Sequence, residues 1–516
     1  MNTGYPISIA SFDEEHKSLW KSWKVWVPVV LLTTTGFGIA LAYALTNDRT
    51  PPQIQGLAWE PTRIVNDKIY DIAVEFNASD DKSPIASATL VFKPVDYRDR
   101  FVGQYGMRPE DYYIVFPNDT RAIQLTPVDG EFDEKQEEFV APIQNITGGV
   151  EYRIIAFVKD SAGNERMVEI KTPYIRQFEN FGRKLYEKGI IVGASYMPWD
   201  FKSTPMKDNY IPLLGRYDTL DDIVQWKHID WAGYAGINVF FIDGEYVFSA
   251  GTDRYNVPTK FLEKGMKVGV FFGPTWSYKR GTNPNFPEWA VDLNDHHNFN
   301  KFISDFVRIG DWSLHPNYIK ISGRPVVFIY ESGAFFNESK AFRRAIREFE
   351  MRTAEKPFIL ADEIPEIPYT PTDIGYVFPF KDFSVIDGLT GWAGLHNREK
   401  SEWITNYEKF YDRQLNIWKK FADEKKLFFV PTLIPGYDDS YSWGPSLPPI
   451  KRSPQLFEER LKIAIRYTSN NQIKMIRIDT WNDFGEWTFI EPSVHEGFAY
   501  LNVLRNFLEE NFSEKE

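Results

Sequence analysis

A chain of 516 residues is long enough for two or three domains with full-sized cores. Its net charge of −13 argues against nucleic acid as a partner, because phosphate binding needs a basic face. The absence of cysteine removes disulfides, thiolate metal sites and cysteine nucleophiles together.

Val25 to Asn47 carries no charged residue, and Val25–Leu45 reads VWVPVVLLTTTGFGIALAYAL. Roughly 20 apolar residues span a bilayer as a helix, so a transmembrane anchor is expected over 25–47. Lys17, Lys21 and Lys24 precede it, which puts residues 1–24 in the cytoplasm and the rest of the chain outside a single-pass cell membrane. Ala42-Tyr43-Ala44 also fits a signal-peptide cleavage site, but the apolar run exceeds the ~7–15 residues of a usual signal core. Either reading exports the chain beyond residue 47. Sequons beginning at Asn77, Asn118, Asn145, Asn337 and Asn511 agree with export.

Thr50-Pro51-Pro52 reads as a stiff linker. Beyond it, short β-rich runs separated by turns predict strands at 69–76, 86–93, 112–116, 151–160 and 165–172. This spacing, without a helical pattern, predicts a β-sandwich over 50–175. EYRIIAFVKDSAGNE resembles the immunoglobulin/fibronectin-III-like modules of exported bacterial and archaeal proteins. Asp80-Asp81 and Asp160 read better as solvated turn carboxylates than as calcium ligands, and no metal or cofactor is expected anywhere.

From about residue 188 apolar strands alternate with helical stretches, the pattern of a parallel sheet with crossover helices. Strands are expected at 189–196, 237–245, 267–273, 325–332, 357–363, 383–389, 427–434 and 473–481. Eight such units predict an α/β domain, a (β/α)8 TIM barrel over 188–512. Chemistry in such barrels sits at the C-terminal strand ends. Those ends gather Tyr196, Trp199, Asp243, Glu245, Trp276, Tyr330, Glu331, Asp362, Glu363 and Trp392. They also gather Tyr437, Asp438, Asp439, Asn482, Asp483, Glu486 and Trp487. A mouth lined by carboxylates and aromatics suits glycoside chemistry.

TWNDFGEWTFIEP (480–492) resembles the last-strand motif of glycoside hydrolase family 99, the endo-α-mannosidases, and of related glycan-locus proteins often named glycosyltransferases. The motif has an Asn, two carboxylates three residues apart, then Ile-Glu-Pro; here these are Asn482, Asp483, Glu486 and Ile490-Glu491-Pro492. Tyr196-Met197-Pro198-Trp199, PLLGRYD (212–218), WAGYAGINVFFID (231–243), HPNYIKISGRPVVFIY (315–330) and IPGYDD (434–439) are similar to other family segments in the same order. The resemblance implies a retaining α-glycosidase acting on α-linked glycans. In it Asp483 helps the sugar's own 2-hydroxyl attack the anomeric carbon, and Glu486 serves as acid and then base.

Tyr196, Trp199, Asp243, Glu245, Trp276, Tyr330, Glu331, Trp392, Asn482 and Trp487 are the expected sugar-binding residues, with Glu491 in a supporting role. Asp483 stands where the family usually has Glu, and Phe484-Gly485 where an aromatic and a His are usual. The departures keep open a non-catalytic glycan-binding or envelope-structural protein, and a glycosyltransferase-like enzyme of envelope glycans.

Overall fold

Alternation of buried and exposed side chains organises residues 53–171 into two antiparallel sheets of a computed structural model. The structure describes residues 48–202, 204, 206, 210–248, 253–275, 277–362, 382–391, 406–442, 448–469 and 472–512. The expected anchor and cytoplasmic segment lie outside these residues. Among the described residues no helix is long and apolar enough to cross a membrane.

Gln53–Val65, Lys68–Ser79 and Gln136–Ile143 form the three-stranded sheet. Arg121–Leu125, Ile85–Pro94, Tyr152–Asp160 and Glu165–Lys171 form the four-stranded one, in that spatial order. Their inner faces bury Val74, Phe76, Phe139, Leu90, Phe92 and Tyr152 in one core. Gln136–Ile143 escapes sequence reading because its inward positions start with Glu137 and its run contains Pro142, which is tolerated at a sheet edge.

Two expectations for this region are corrected. Tyr112–Phe116 is not a strand: Pro109–Val115 is a helix. Pro109 opens it and Glu110 and Asp111 occupy its first turn, both favourable at a helix N-terminus. Nor are all the turn carboxylates solvated: Asp81 is exposed, but Asp80 and Asp160 are not. Asp48, Asp80 and Asp160 are buried, with ligand oxygens within 4.8 Å of one another. Asp80 Oδ1 accepts the Lys82 and Ser83 amides at 2.8 Å, and Asp160 Oδ1 accepts the Asn164 amide at 2.9 Å. Asp48 ties the two turns together: its carboxylate accepts the Ser83 hydroxyl at 2.8 Å and its carbonyl accepts the Asn164 side-chain amide at 3.2 Å.

The second unit is a parallel sheet with helices between its strands. In chain order the strands are Ile190–Tyr196, Val239–Asp243, Lys267–Phe272, Arg324–Ile329, Phe358–Asp362, Gly388–Thr390, a seventh in two pieces, and Lys474–Ile478. The seventh is split into Phe428–Phe429 and Thr432–Leu433 around Val430-Pro431, because proline has no N–H for the ladder. One piece pairs with the sixth strand and the other with the eighth, so the two ends of the sheet meet within a single segment. The sixth strand is shorter than its apolar run suggests. Asp382 accepts the Ser384 amide and holds Phe383–Val385 in a helical turn.

Inside, Phe241 projects between neighbouring strands. A Cβ at Gly193 or at Gly269 would lie 2.7 Å from its ring, so both positions need glycine. The crossover helices are capped as their sequences require. Asp221 accepts the Ile223 amide to start Asp222–Ala235, and Gly236, at φ 98°, ends it.

The helix Asp222–Ala235 also holds the first unit against the second. Asp230 accepts the Tyr174 hydroxyl (2.8 Å) and the Gln177 amide (2.7 Å). Lys227 is wholly buried and donates to the Val115 carbonyl above the Phe116 ring. Burial pushes its amine down to about 7.

Candidate active site

The segment after the eighth strand folds into a closed loop at the barrel mouth. The Thr480 amide donates to the Thr488 carbonyl (2.7 Å) and the Glu491 amide to that of Trp481 (2.8 Å), while Phe484 stacks on Phe489 at 3.9 Å. Within the loop the Asp483 amide donates to Thr480 Oγ1 (2.8 Å), and Asp483 Oδ1 accepts the Glu486 amide (3.0 Å). The three-residue spacing of the two acids is therefore that of a turn in which the first carboxylate binds the backbone of the second.

The loop after the seventh strand clamps this turn from outside. Arg452 donates to the Phe489 (2.6 Å) and Trp487 (3.2 Å) carbonyls while paired to Glu496 (2.7 Å). The Asp438 amide holds the Glu486 carbonyl at 2.9 Å, and Ser442 Oγ donates to that of Gly485 at 2.9 Å.

Asp483 is buried. Desolvation pushes its carboxyl up to about 6, against the lowering effect of the Glu486 and Gly485 amides. Asp243, at the end of the second strand, is also buried and is pushed up to about 8. Desolvation is the main cause, Glu245 adds to it, and Asp483 contributes from across the mouth. Asp243 Oδ1 accepts the Glu245 amide at 2.9 Å, starting the helical turn Gly244–Val247. The Tyr246 hydroxyl is pushed up by burial and then by Asp243, Glu245 and Asp483, and its ring lies 5.6 Å from that of Trp199. Trp199, Asp243, Glu245, Tyr246 and Asp483 thus form one cluster, with Glu486 half-buried beside Asp483. Within it the charges that raise Asp243 are both carboxylates, Glu245 and Asp483.

Tyr196 and Asn482, expected to bind sugar, are corrected: both are buried in the barrel wall. The Asn482 side chain accepts the Met197 amide (2.8 Å) and donates to the Met197 carbonyl (2.9 Å), so its amide fixes the loop after the first strand. Tyr196 meets His228 Nδ1 at 3.1 Å. His228 Nε2 meets Glu491 at 3.1 Å, and Glu491 accepts the Tyr217 hydroxyl at 2.6 Å. Glu491 is thus buried behind the loop, its carboxylate engaged by Tyr217 and His228. Asp362 is likewise wholly buried, 3.2 Å from Arg477 inside the barrel.

Trp487 is half-buried in a left-handed conformation (φ 63°), its ring edge-on to Tyr210 at 4.8 Å. Tyr330 packs 6.0 Å from Phe271, and Glu331 (φ 44°) precedes the helical turn Ser332–Ala334. Trp276, Trp392 and Glu363 lie outside the described residues.

Sequence reading missed Tyr246, although it adjoins Glu245. It also missed Arg477, whose run IKMIRID marks it as a charge inside a buried strand. Arg452 carries no sequence signal, since its partners lie 35 to 44 residues away.

Comparison with known proteins gives the chain a family. The family described as "Glycosyltransferase WbsX" matches residues 212–504, more than half the chain. The chain belongs to this family. The matched residues include the motif at 480–492, and the family is related to the GH99 group that the motif resembles. Among solved structures, the WbsX chain is similar to a "Glycoside hydrolase-like protein" at 19% identity, over 61% of this chain and 93% of that one, with a TM-score of 0.49. It is similar to the GH99 endo-alpha-mannosidase from Bacteroides thetaiotaomicron at 17% identity, over 62% and 96%, with a TM-score of 0.44. A Bifidobacterium dentium beta-glucuronidase aligns at 8% identity, over 88% and 66%, with a TM-score of 0.37. No curated protein matches.

Proposed function

We propose that this WbsX-family chain is a retaining α-glycosidase acting on surface or environmental glycans. The observation that carries the reading is the Asp483 carboxyl, buried at the barrel mouth, raised to about 6, near enough to Asp243 to raise it too, and paired with no cation among the described residues. Above that pH Asp483 is ionised and able to take a proton. In the proposed reaction Asp483 accepts the proton of the substrate's 2-hydroxyl, whose oxygen bonds to the anomeric carbon as the glycosidic oxygen leaves. Glu486 gives that oxygen its proton. Water then opens the anhydro-sugar: it adds to the anomeric carbon, Glu486 takes its proton, and the 2-oxygen is reprotonated from Asp483. Asp243 holds its proton at neutral pH and is placed to donate to a sugar hydroxyl, while Trp199 and Tyr246 offer ring surface. Residues 25–47 anchor the chain with the barrel outside, and the N-terminal sheets act as an immunoglobulin/fibronectin-III-like spacer.

The family's description favours a second reading, in which a sugar hydroxyl rather than water opens the intermediate. Both readings need the 2-hydroxyl. The test compares 2-hydroxy and 2-deoxy α-glycosides with wild type, Asp483→Asn and Glu486→Gln. We expect turnover only with the 2-hydroxyl and an acid limb near pH 6. Glu486→Gln should recover on substrates whose leaving group needs no proton, and Asp483→Asn should not. Comparable wild-type turnover of the 2-deoxy compound defeats the route. Products elongated by an added acceptor, with no free reducing sugar, favour transfer.

A further inference from the structure

A second concave site lies on the N-terminal unit, away from the barrel mouth. It is a groove of about 520 Å³ between the outer face of the four-stranded sheet and the helix Pro109–Val115. Strand register sets its floor. Lys93 pairs with Arg153, and Arg153 pairs with Lys171, so three cations stand side by side across three strands. Like charges directly opposite one another oppose sheet formation. Glu169, on the adjacent rung, engages Arg153 in a two-pronged ion pair, with Nε at 2.6 Å, and so neutralises one of the three. In a chain of net charge −13 this row is a local reversal of sign.

The wall of the groove is aromatic. Tyr113 is 54% exposed, and its hydroxyl accepts from Arg98 at 2.7 Å. The same guanidinium lies 5.2 Å from the Tyr112 ring centroid and 5.4 Å from that of Tyr113. These contacts set the Tyr113 ring beside the cationic row.

A ring that covers an apolar sugar face, next to ammonium and guanidinium donors for an acid group, is the chemistry of acidic-sugar recognition. We infer that this groove binds an anionic oligosaccharide segment, with Tyr113 stacking on a sugar ring and Lys93, Arg153 and Lys171 taking its carboxylates or sulfates. Such a ligand also relieves the repulsion along the row. Binding here is independent of the barrel's chemistry and gives the N-terminal unit a role in retaining polymer.

The test titrates full-length protein with hexagalacturonate, a heparin-derived sulfated hexasaccharide, neutral mannohexaose and phosphatidylserine vesicles. Wild type is compared with Lys93→Glu/Lys171→Glu, Tyr113→Ala and, as an untouched-groove control, Glu486→Gln. We expect at least one acidic hexasaccharide to bind and mannohexaose not to bind in this groove. Both groove variants should weaken that binding by about tenfold or more, with the control unchanged. Preference for hexagalacturonate assigns carboxylate recognition, and preference for the sulfated probe assigns sulfate; either supports the site. Acidic-sugar binding that survives both groove variants overturns it, as does failure of both acidic probes. Loss with the charge variant but none with Tyr113→Ala overturns the sugar assignment, leaving plain polyelectrolyte attraction. Binding of vesicles alone overturns it in favour of a lipid surface.

Discussion

Asp362 and Asp479 stand at barrel-strand ends, as Asp243 and Asp483 do, and all four are buried. Arg477 reaches across the barrel interior to the first two. Its guanidinium lies 2.9 Å from Asp479 and 3.2 Å from Asp362, donates to Thr432 Oγ1 at 3.2 Å and sits 4.7 Å over Phe328. Asp479 also accepts the Ser195 hydroxyl at 2.5 Å. Those carboxylates share one buried cation. Asp243 and Asp483 have backbone amides and each other, so burial raises both. One residue type is thus an internal tie where a cation meets it, and is pushed toward its protonated form where, among the described residues, none does.

Breaking the tie should give the largest effect. Arg477→Met leaves two buried carboxylates without their cation, and we expect a loss of about 3–5 kcal/mol, read by urea unfolding. A loss below about 1 kcal/mol would mean that water reaches the barrel interior and that the contrast between the two sites is false.

At the mouth the expectation is reversed. Asp483→Asn should cost about a hundred- to a thousandfold in turnover, roughly 3–4 kcal/mol of barrier, with little change in the unfolding midpoint. Destabilisation equal to that of Arg477→Met, without a specific rate effect, would move Asp483 to the structural side.

His228→Ala lies between the two. It removes the partner shared by Tyr196 and Glu491, so we expect about 1–3 kcal/mol of destabilisation and a smaller effect on rate. A rate effect as large as that of Asp483→Asn would make His228 part of the chemistry.

The remaining expectation, at Asp243, is one of sign. The Asp243 carboxyl is raised in the folded protein to about 8, above its unfolded value near 4. Its contribution to stability is therefore fully present below about pH 4 and is lost as pH rises through about 8. Asp243→Asn should gain stability relative to wild type over that window, visible as a growing difference in thermal midpoints from about pH 4 to about pH 8. A difference that stays flat or shrinks would show that Asp243 is paired and ionised.

Much of this was legible in the sequence because it is local. The eight apolar runs of the barrel carry their own periodicity, and the motif at 480–492 brings Asp483 and Glu486 together across a single turn. Strand ends alone also point to Asp243, Glu245 and Trp199. Local pattern misleads where the chain chooses between partners. YYIVF has strand-forming residues, but Pro109 and two acids start a helix there. Tyr196 and Asn482 sit in the right motif, but their polar atoms are consumed by His228 and the Met197 backbone.

The amino-acid sequence by itself determined the alternation of strands and helices in the barrel, its strand count and the placing of acids at or just beyond strand ends, since periodicity and turn chemistry act over a few residues. Only the tertiary structure decided which of those acids meets a cation. That choice depends on Arg477 crossing 115 residues of sequence to Asp362, and on no such side chain reaching Asp243 and Asp483 among the described residues. Charge pairing is a property of distance in space, which local pattern does not encode.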